Sequence, residues 1–204
     1  MKTLFLNKNE IALASDVLGI GGIVAIPTDT VYGLAVSYES AEAINHLREV
    51  KQRPEDKPFA LMVSNIEMIE SLAVLNHRDR RLIQVSMPGD VTLIFNKKAE
   101  ITSGYFKDAQ TIAFRMPDEI FVLKLIDHLK SGLLVPSANI SGEAACVNSD
   151  EVKAIFNGII EAIVEGESGQ QLASTLIDAS TDELKVLRQG KAQLKDIIKK
   201  MEEA

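Results

Sequence analysis

Two stretches of this 204-residue chain set an apolar run, a proline and a cluster of hydrogen-bonding side chains in immediate succession. The first is Ile23-Val24-Ala25-Ile26 followed by Pro27-Thr28-Asp29-Thr30-Val31-Tyr32-Gly33, and the second is Leu133-Leu134-Val135-Pro136 followed by Ser137-Ala138-Asn139-Ile140-Ser141-Gly142. A short continuous apolar run suits a strand covered on both faces, and proline, with no N–H to give, ends its ladder. Two such polar turns on neighbouring strands would make one pocket rich in hydroxyl, carboxylate and amide groups. Cations complete the inventory. Lys51 and Arg53 follow a helical pattern, and Pro54 and Pro58 are expected to hold both in a fixed loop. Arg115 ends the alternating run 111–116, where burial is costly unless an anion meets it. Each of these cations also has a plain structural reading, as a partner of the helix dipole or of a carboxylate.

The residues that usually carry covalent or metal chemistry are scarce. Cys146 is the one cysteine and reads as an inert thiol, and His46, His77 and His128 stand apart from any partner at metal-ligand spacing. Ser-His-Asp, Cys-His and zinc-hydrolase mechanisms therefore lose their central residue. The net charge of -7 argues against a surface coated for nucleic acid, and 5% aromatic content offers few stacking platforms, so any RNA contact should be local. Gly19, Gly21 and Gly22 follow a helix and precede a strand, the reverse of a phosphate-cradling loop, and read as a helix end and turn.

Alternation and punctuation predict strands at 3–6, 23–26, 59–63, 91–95, 111–116, 133–136, 162–164, 174–178 and 184–187. Helices are predicted from about Ile11, capped by Asn7 or Asn9, then from Ser40, at 65–75, around a solvated Arg78-Arg80-Arg81 run, at 119–130, at 152–156 and from Lys191. With 46% hydrophobic residues the chain can bury one good core, so a single domain over 1–204 without a C-terminal extension domain is expected. No charged-apolar-small leader opens at Met1 and no apolar run approaches the roughly 20 residues of a span, which predicts a cytoplasmic protein with no membrane partner.

On these residues the chain resembles the YrdC-like threonylcarbamoyl-AMP synthase family over nearly its whole length, as a single-domain member. The resemblance rests on 27–34, PTDTVYGL; 51–54, KQRP; Pro88-Gly89 with Thr92; 114–117, FRMP; 136–142, PSANISG; 174–178, STLID; and 187–190, LRQG, in the family's order. It implies an α/β fold, a twisted open mixed sheet with flanking helices and a deep cleft. It implies a nucleotidyltransferase that joins L-threonine, bicarbonate and ATP into threonylcarbamoyl-AMP and pyrophosphate, for the t6A modification at tRNA position 37. Carried over by motif, Thr28, Arg115, Val135 and Ser174 would hold threonine, and Lys51, Arg53, Thr111, Ser137, Asn139 and Arg188 would hold ATP, with Lys51 and Arg53 as catalytic groups and Mg²⁺ adding positive charge. Such a reaction needs no protein nucleophile, because a threonine carbamate can itself attack the α-phosphate; cations and in-line positioning suffice. Met87, Asp90 and Ala173 depart from the family pattern, as does a glycine-poor loop at 165–172, which bears on lid and metal rather than on reaction class. The resemblance also implies tRNA or the t6A transferase machinery as a partner. Two other readings compete: a non-catalytic module binding double-stranded RNA or tRNA, and a carbamoyl-transfer module of the hydrogenase-maturation kind.

Overall fold

The computed structural model describes residues 2–169 and 172–203. In chain order its elements are β1 (Leu4–Leu6), α1 (Ile11–Gly19), β2 (Val24–Ile26), β3 (Gly33–Ser37), α2 (Ala41–Lys51), β4 (Leu61–Met62), α3 (Ile66–Leu72), α4 (His77–Ser86), β5 (Val91–Asn96) and β6 (Thr111–Arg115). They continue as α5 (Ile120–Leu129), β7 (Leu133–Leu134), α6 (Ser149–Phe156), β8 (Ala162–Val164), β9 (Thr175–Asp178), β10 (Lys185–Arg188) and α7 (Leu194–Glu203). All ten strands form one open mixed sheet in the order β1-β8-β2-β3-β7-β4-β6-β5-β9-β10.

The continuous apolar runs have the expected cause. Along β2, Val24 and Ile26 pack with α1 and α5 on one face, while Ile23 and Ala25 join the larger cluster on the other. Strand β3 divides in the same way, Ala35 to the first face and Leu34 and Val36 to the second. Period-2 side-chain alternation therefore buries every residue of a strand that has helices on both sides. Gly21, at φ +87°, makes the turn between α1 and β2 that the glycine run predicted.

Several local expectations change. Neither Asn7 nor Asn9 caps α1; the helix starts after Glu10, whose carboxylate reaches back to the Asn7 backbone N–H at 2.8 Å, and Asn7 instead accepts the N–H of Asn9. The strand predicted at 59–63 shrinks to β4, because the Tyr105 hydroxyl accepts the Phe59 N–H at 2.9 Å and takes it out of the ladder. The Arg78 run is less free than a solvated face: Arg78 pairs with Asp79 at 2.8 Å and donates to the carbonyls of Ala179, Thr181 and Asp182, and Arg81 donates to the Met201 carbonyl on α7.

The end of the sheet that matters is where β6 finishes and β5 and β9 begin. Strand β5 runs antiparallel to β6 with Leu93 opposite Phe114, β9 runs parallel to β5 with Val91 opposite Thr175, and β10 returns beside β9 to bring Arg188 opposite Leu176. Gly190 then passes so close that an added Cβ would lie 2.4 Å from the Ala173 carbonyl oxygen and 2.6 Å from the Thr175 nitrogen, both rigid backbone. Gly190→Ala is expected to lower stability by roughly 1–3 kcal/mol, the usual cost of forced backbone shifts, and to loosen Arg188; urea unfolding with an unchanged midpoint would contradict this.

Candidate functional site

The two polar turns meet through backbone. Gly33 and Ser137 form an antiparallel bridge, the Leu34 N–H donates to the Pro136 carbonyl at 2.9 Å, and the Ala138 N–H donates to the Tyr32 carbonyl at 2.6 Å. Strand β3 lies between β2 and β7, so the turns are neighbours once removed, joined by this seam. Within the first turn the Thr28 hydroxyl donates to the Val31 carbonyl at 2.7 Å and accepts the Thr30 N–H at 3.1 Å, fixing a compact loop in which Thr28 and Thr30 are both buried.

Four cations gather here, and each is held differently. Arg115, 7% exposed, gives Nη2 to Asp29 Oδ1 at 2.7 Å and Nη1 to Thr30 Oγ1 at 2.9 Å, while its buried Nε has no partner. A buried donor left unsatisfied costs about 1–3 kcal/mol. Arg188 donates through Nε and Nη2 to the Ser174 carbonyl and through Nη2 to the Ser174 hydroxyl, which lies 2.7 Å from that of Thr92. Arg53 rests on the Lys57 and Pro58 carbonyls and on the Phe59 ring, which Arg48 also covers. Burial and then its guanidinium neighbour, Arg115 for Arg188 and Arg48 for Arg53, make each bind its proton less tightly than usual. Among the described residues neither has a carboxylate partner.

Lys51 departs from expectation. It is not in the loop with Arg53 but is the last residue of α2, only 1% exposed, with Nζ donating to the Ser137 carbonyl at 2.5 Å, the Asn139 carbonyl at 2.7 Å and Asn139 Oδ1 at 3.2 Å. Ser137 Oγ donates to the same Asn139 Oδ1 at 2.6 Å. Burial, then the Arg53 charge, bring the Lys51 ammonium down to about 8.

A cleft of about 680 Å³ runs along β6. Of the residues singled out from sequence, Thr28, Arg53, Thr111, Arg115, Val135, Ser137, Ser174 and Arg188 line it; Lys51 and Asn139 stand behind the wall that Ser137 forms. Thr111 and Arg115 are four residues apart on one strand, about 13 Å, so the cleft has an inner pole at Arg115 and an outer one beyond Thr111. Sequence reasoning gave no role to Asp29, Thr30 or Thr92, although each lies inside a quoted motif, nor to Arg48, one turn before Lys51 on α2. Tyr105, whose hydroxyl fixes the Phe59 backbone at the cleft mouth, left no local signal at all. Cys146 is buried, and burial pushes its thiol up, so it stays a protonated, inert group. No three His, Cys, Asp or Glu side chains converge as a metal cage among the described residues, and none of the described helices is long and apolar enough to cross a membrane.

The family model for Sua5, YciO and YrdC proteins, described as "Telomere recombination", matches residues 16–190. The chain belongs to the Sua5/YciO/YrdC family. A Pyrococcus abyssi relative named threonylcarbamoyl-AMP synthase is 33% identical over 192 residues, covering 93% of this chain and 56% of that one. An Escherichia coli K12 relative of the same name is 35% identical over 189 residues, 91% of this chain and 98% of that one. The structure of P. abyssi Sua5 complexed with L-threonine superposes with a TM-score of 0.89 at 30% identity, over 98% of this chain and 61% of that one. This Sua5/YciO/YrdC chain therefore spans little more than half of the Pyrococcus relative and nearly all of the E. coli one. Of the positions expected to differ from the family pattern, Ala173 lines the cleft beside Ser174, the Asp90 carbonyl accepts the Thr175 N–H at 2.9 Å, and Met87 is buried; the expectation for 165–172 falls partly outside the described residues.

Because the native state lowers the Lys51 pKa, it sheds this proton before the unfolded chain does, and stability gained this way is present above the ordinary lysine range and lost as pH falls through about 8. Relative to Lys51→Met, the wild type is expected to gain up to about 1.4 kcal/mol per pH unit between pH 8 and 10. Urea midpoints for the pair at three pH values in that window measure it, and a flat difference would show that the ammonium is not strained.

Proposed function

We propose that this chain is an L-threonylcarbamoyladenylate synthase, a cytoplasmic nucleotidyltransferase acting as one catalytic domain over 1–204 that supplies the t6A modification of tRNA. The observation that carries the reading is the division of cations along one cleft. Arg115 is paired with Asp29 but has an unpartnered Nε, whereas Arg188, held by Ser174, and Arg53, towards the cleft mouth, have no carboxylate partner among the described residues. An amino acid's carboxylate suits the first and a polyphosphate the second.

In this reading Thr28, Arg115, Val135 and Ser174 seat threonine. Its amine takes up carbon dioxide derived from bicarbonate, losing a proton and becoming a carbamate. A carbamate oxygen then attacks the α-phosphorus of ATP; the bond to the bridging oxygen breaks and pyrophosphate leaves with its electron pair. Arg53, Ser137, Thr111 and Arg188 face the triphosphate and ribose from the wall, and Lys51 and Asn139 brace Ser137 from behind while adding charge beneath it. Preorganised donors of this kind stabilise the charge that builds on the equatorial and leaving oxygens. Among the described residues no three His, Cys, Asp or Glu side chains converge on a metal; magnesium brought by ATP would add positive charge at the phosphates beside Arg53 and Arg188.

Pyrophosphate release from ATP, Mg²⁺ and bicarbonate is expected to require L-threonine and to be poorly supported by L-serine. Arg115→Ala and Lys51→Ala should each slow it by roughly 10²–10³-fold, the usual loss of one preorganised donor, with thermal melts confirming that each variant is folded. No release under any condition, together with tRNA binding that falls steeply with salt, would replace the enzyme by an RNA-binding module.

A further inference from the structure

Arg115 on β6 and Arg188 on β10 both line the cleft, separated by β5 and β9, and the Arg115 charge reaches Arg188. Two guanidiniums so placed make a doubly charged seat, which matches a phosphoryl group better than the single carboxylate of an amino acid. One of the two has been cancelled. Asp29 Oδ1 takes Arg115 Nη2 at 2.7 Å, both side chains are under 10% exposed, and Thr30 Oγ1 takes Nη1 at 2.9 Å, so one N–H at each end of the guanidinium fork is spent inside the protein. Nε is buried with no partner at all, and each Nη keeps a second N–H. Burial pushes the Asp29 carboxyl above its usual range, and the Arg115 guanidinium, followed by the backbone N–H groups of Asp118 and of Asp29 itself, works against that push toward the charged form; the loop is further pinned where the Gly169 N–H donates to the Thr28 carbonyl at 3.1 Å. Gly169 packs so tightly there that a Cβ would lie 2.6 Å from the Asp29 carbonyl oxygen.

We propose that Asp29 sets the charge of ligand accepted at the Arg115 end of the cleft: by neutralising Arg115 while leaving Nε free, it makes that end a seat for a monoanionic carboxylate and confines phosphates and free pyrophosphate to the Arg53 and Arg188 side. Asp29 is a positioning and selectivity residue that acts through Arg115. The identity of the carboxylate as threonine rests on the synthase reading; the charge rule does not. Without Asp29, threonine's site would become a second pyrophosphate site, and the reaction's own product would compete with its amino-acid substrate.

The test is equilibrium binding by calorimetry, without turnover, of L-threonine and of inorganic pyrophosphate to the full chain. In the wild type, saturating pyrophosphate is expected to leave the threonine Kd within about twofold. In Asp29→Asn, pyrophosphate should tighten by roughly tenfold or more, as gaining a charge-assisted contact gives, and should displace threonine competitively. Asp29→Asn/Arg115→Met should lose the pyrophosphate gain, which assigns it to the uncancelled guanidinium. Weaker threonine binding in Asp29→Asn with no pyrophosphate gain would show a merely structural role and overturn the proposal. Competitive displacement of threonine by pyrophosphate in the wild type would overturn it too, and that arm stands even if Asp29→Asn does not fold. A wild type that binds no threonine would sink the synthase reading separately, leaving the pyrophosphate comparison between the single and double variants to decide the charge rule.

Discussion

The site depends on a seam of main-chain hydrogen bonds between Tyr32–Leu34 and Pro136–Ala138. Each segment follows a proline that has ended its own strand, so each has backbone groups to spare, and each satisfies the other's. Gly33 is needed at the crossing: a Cβ there would stand 2.3 Å from Val135 Cγ1. Once the seam is made, Thr28 and Ser137 face one cleft without any side chain having to bridge the gap. The sheet order makes this possible, because β3 can pair with β2 on one edge and β7 on the other only if the chain between them travels out through α2, β4 and the β5–β6 hairpin and returns. Those excursions bring the cations.

Those cations are costly to bury, and the fold treats them in two ways. Arg115 is neutralised by a carboxylate, whereas Lys51 and Arg188 are solvated by carbonyl oxygens of the turns they stand beside, Ser137 and Asn139 for the first and Ser174 for the second. Carbonyl dipoles lower the cost of desolvation without cancelling the charge. The positive potential therefore survives inside a protein whose net charge is -7. A polyanion approaching this acidic protein meets closely spaced cations in the cleft, which can select by electrostatics as well as by shape.

Much of this was legible in the sequence because it is local. The strand-proline-hydroxyl pattern at 23–33 and 133–142 follows from how β2 and β7 are covered, and Ser40 caps α2 as its spacing implies, accepting the Ala43 N–H at 3.2 Å. Arg115 at the end of an apolar strand announced a buried pair or a ligand, and it has both a partner and a free edge. The misses are contacts across long sequence distance. Lys51 looked like a loop cation because its acceptors are 86 and 88 residues away, and because Gln52, at φ +50°, turns the chain at a helix end that no glycine marks. The 59–63 strand failed for a similar reason: the hydroxyl that captures the Phe59 N–H belongs to a loop 46 residues on. Asn7 and Asn9 are good caps by type, but Glu10 sits one residue closer to the helix and bonds backwards.

Tyr105 carries one more consequence. Its ring stacks on Phe59 at 6.3 Å and meets Phe106 edge-on at 4.8 Å, its hydroxyl accepts from Arg48, and it lines the cleft with Tyr32. The chain has three tyrosines and no tryptophan, and Tyr32 and Tyr105 are both among the residues that line the cleft. Near-ultraviolet emission from this protein is therefore a local signal rather than a global one, and the molecule carries its own optical gauge of what enters the cleft.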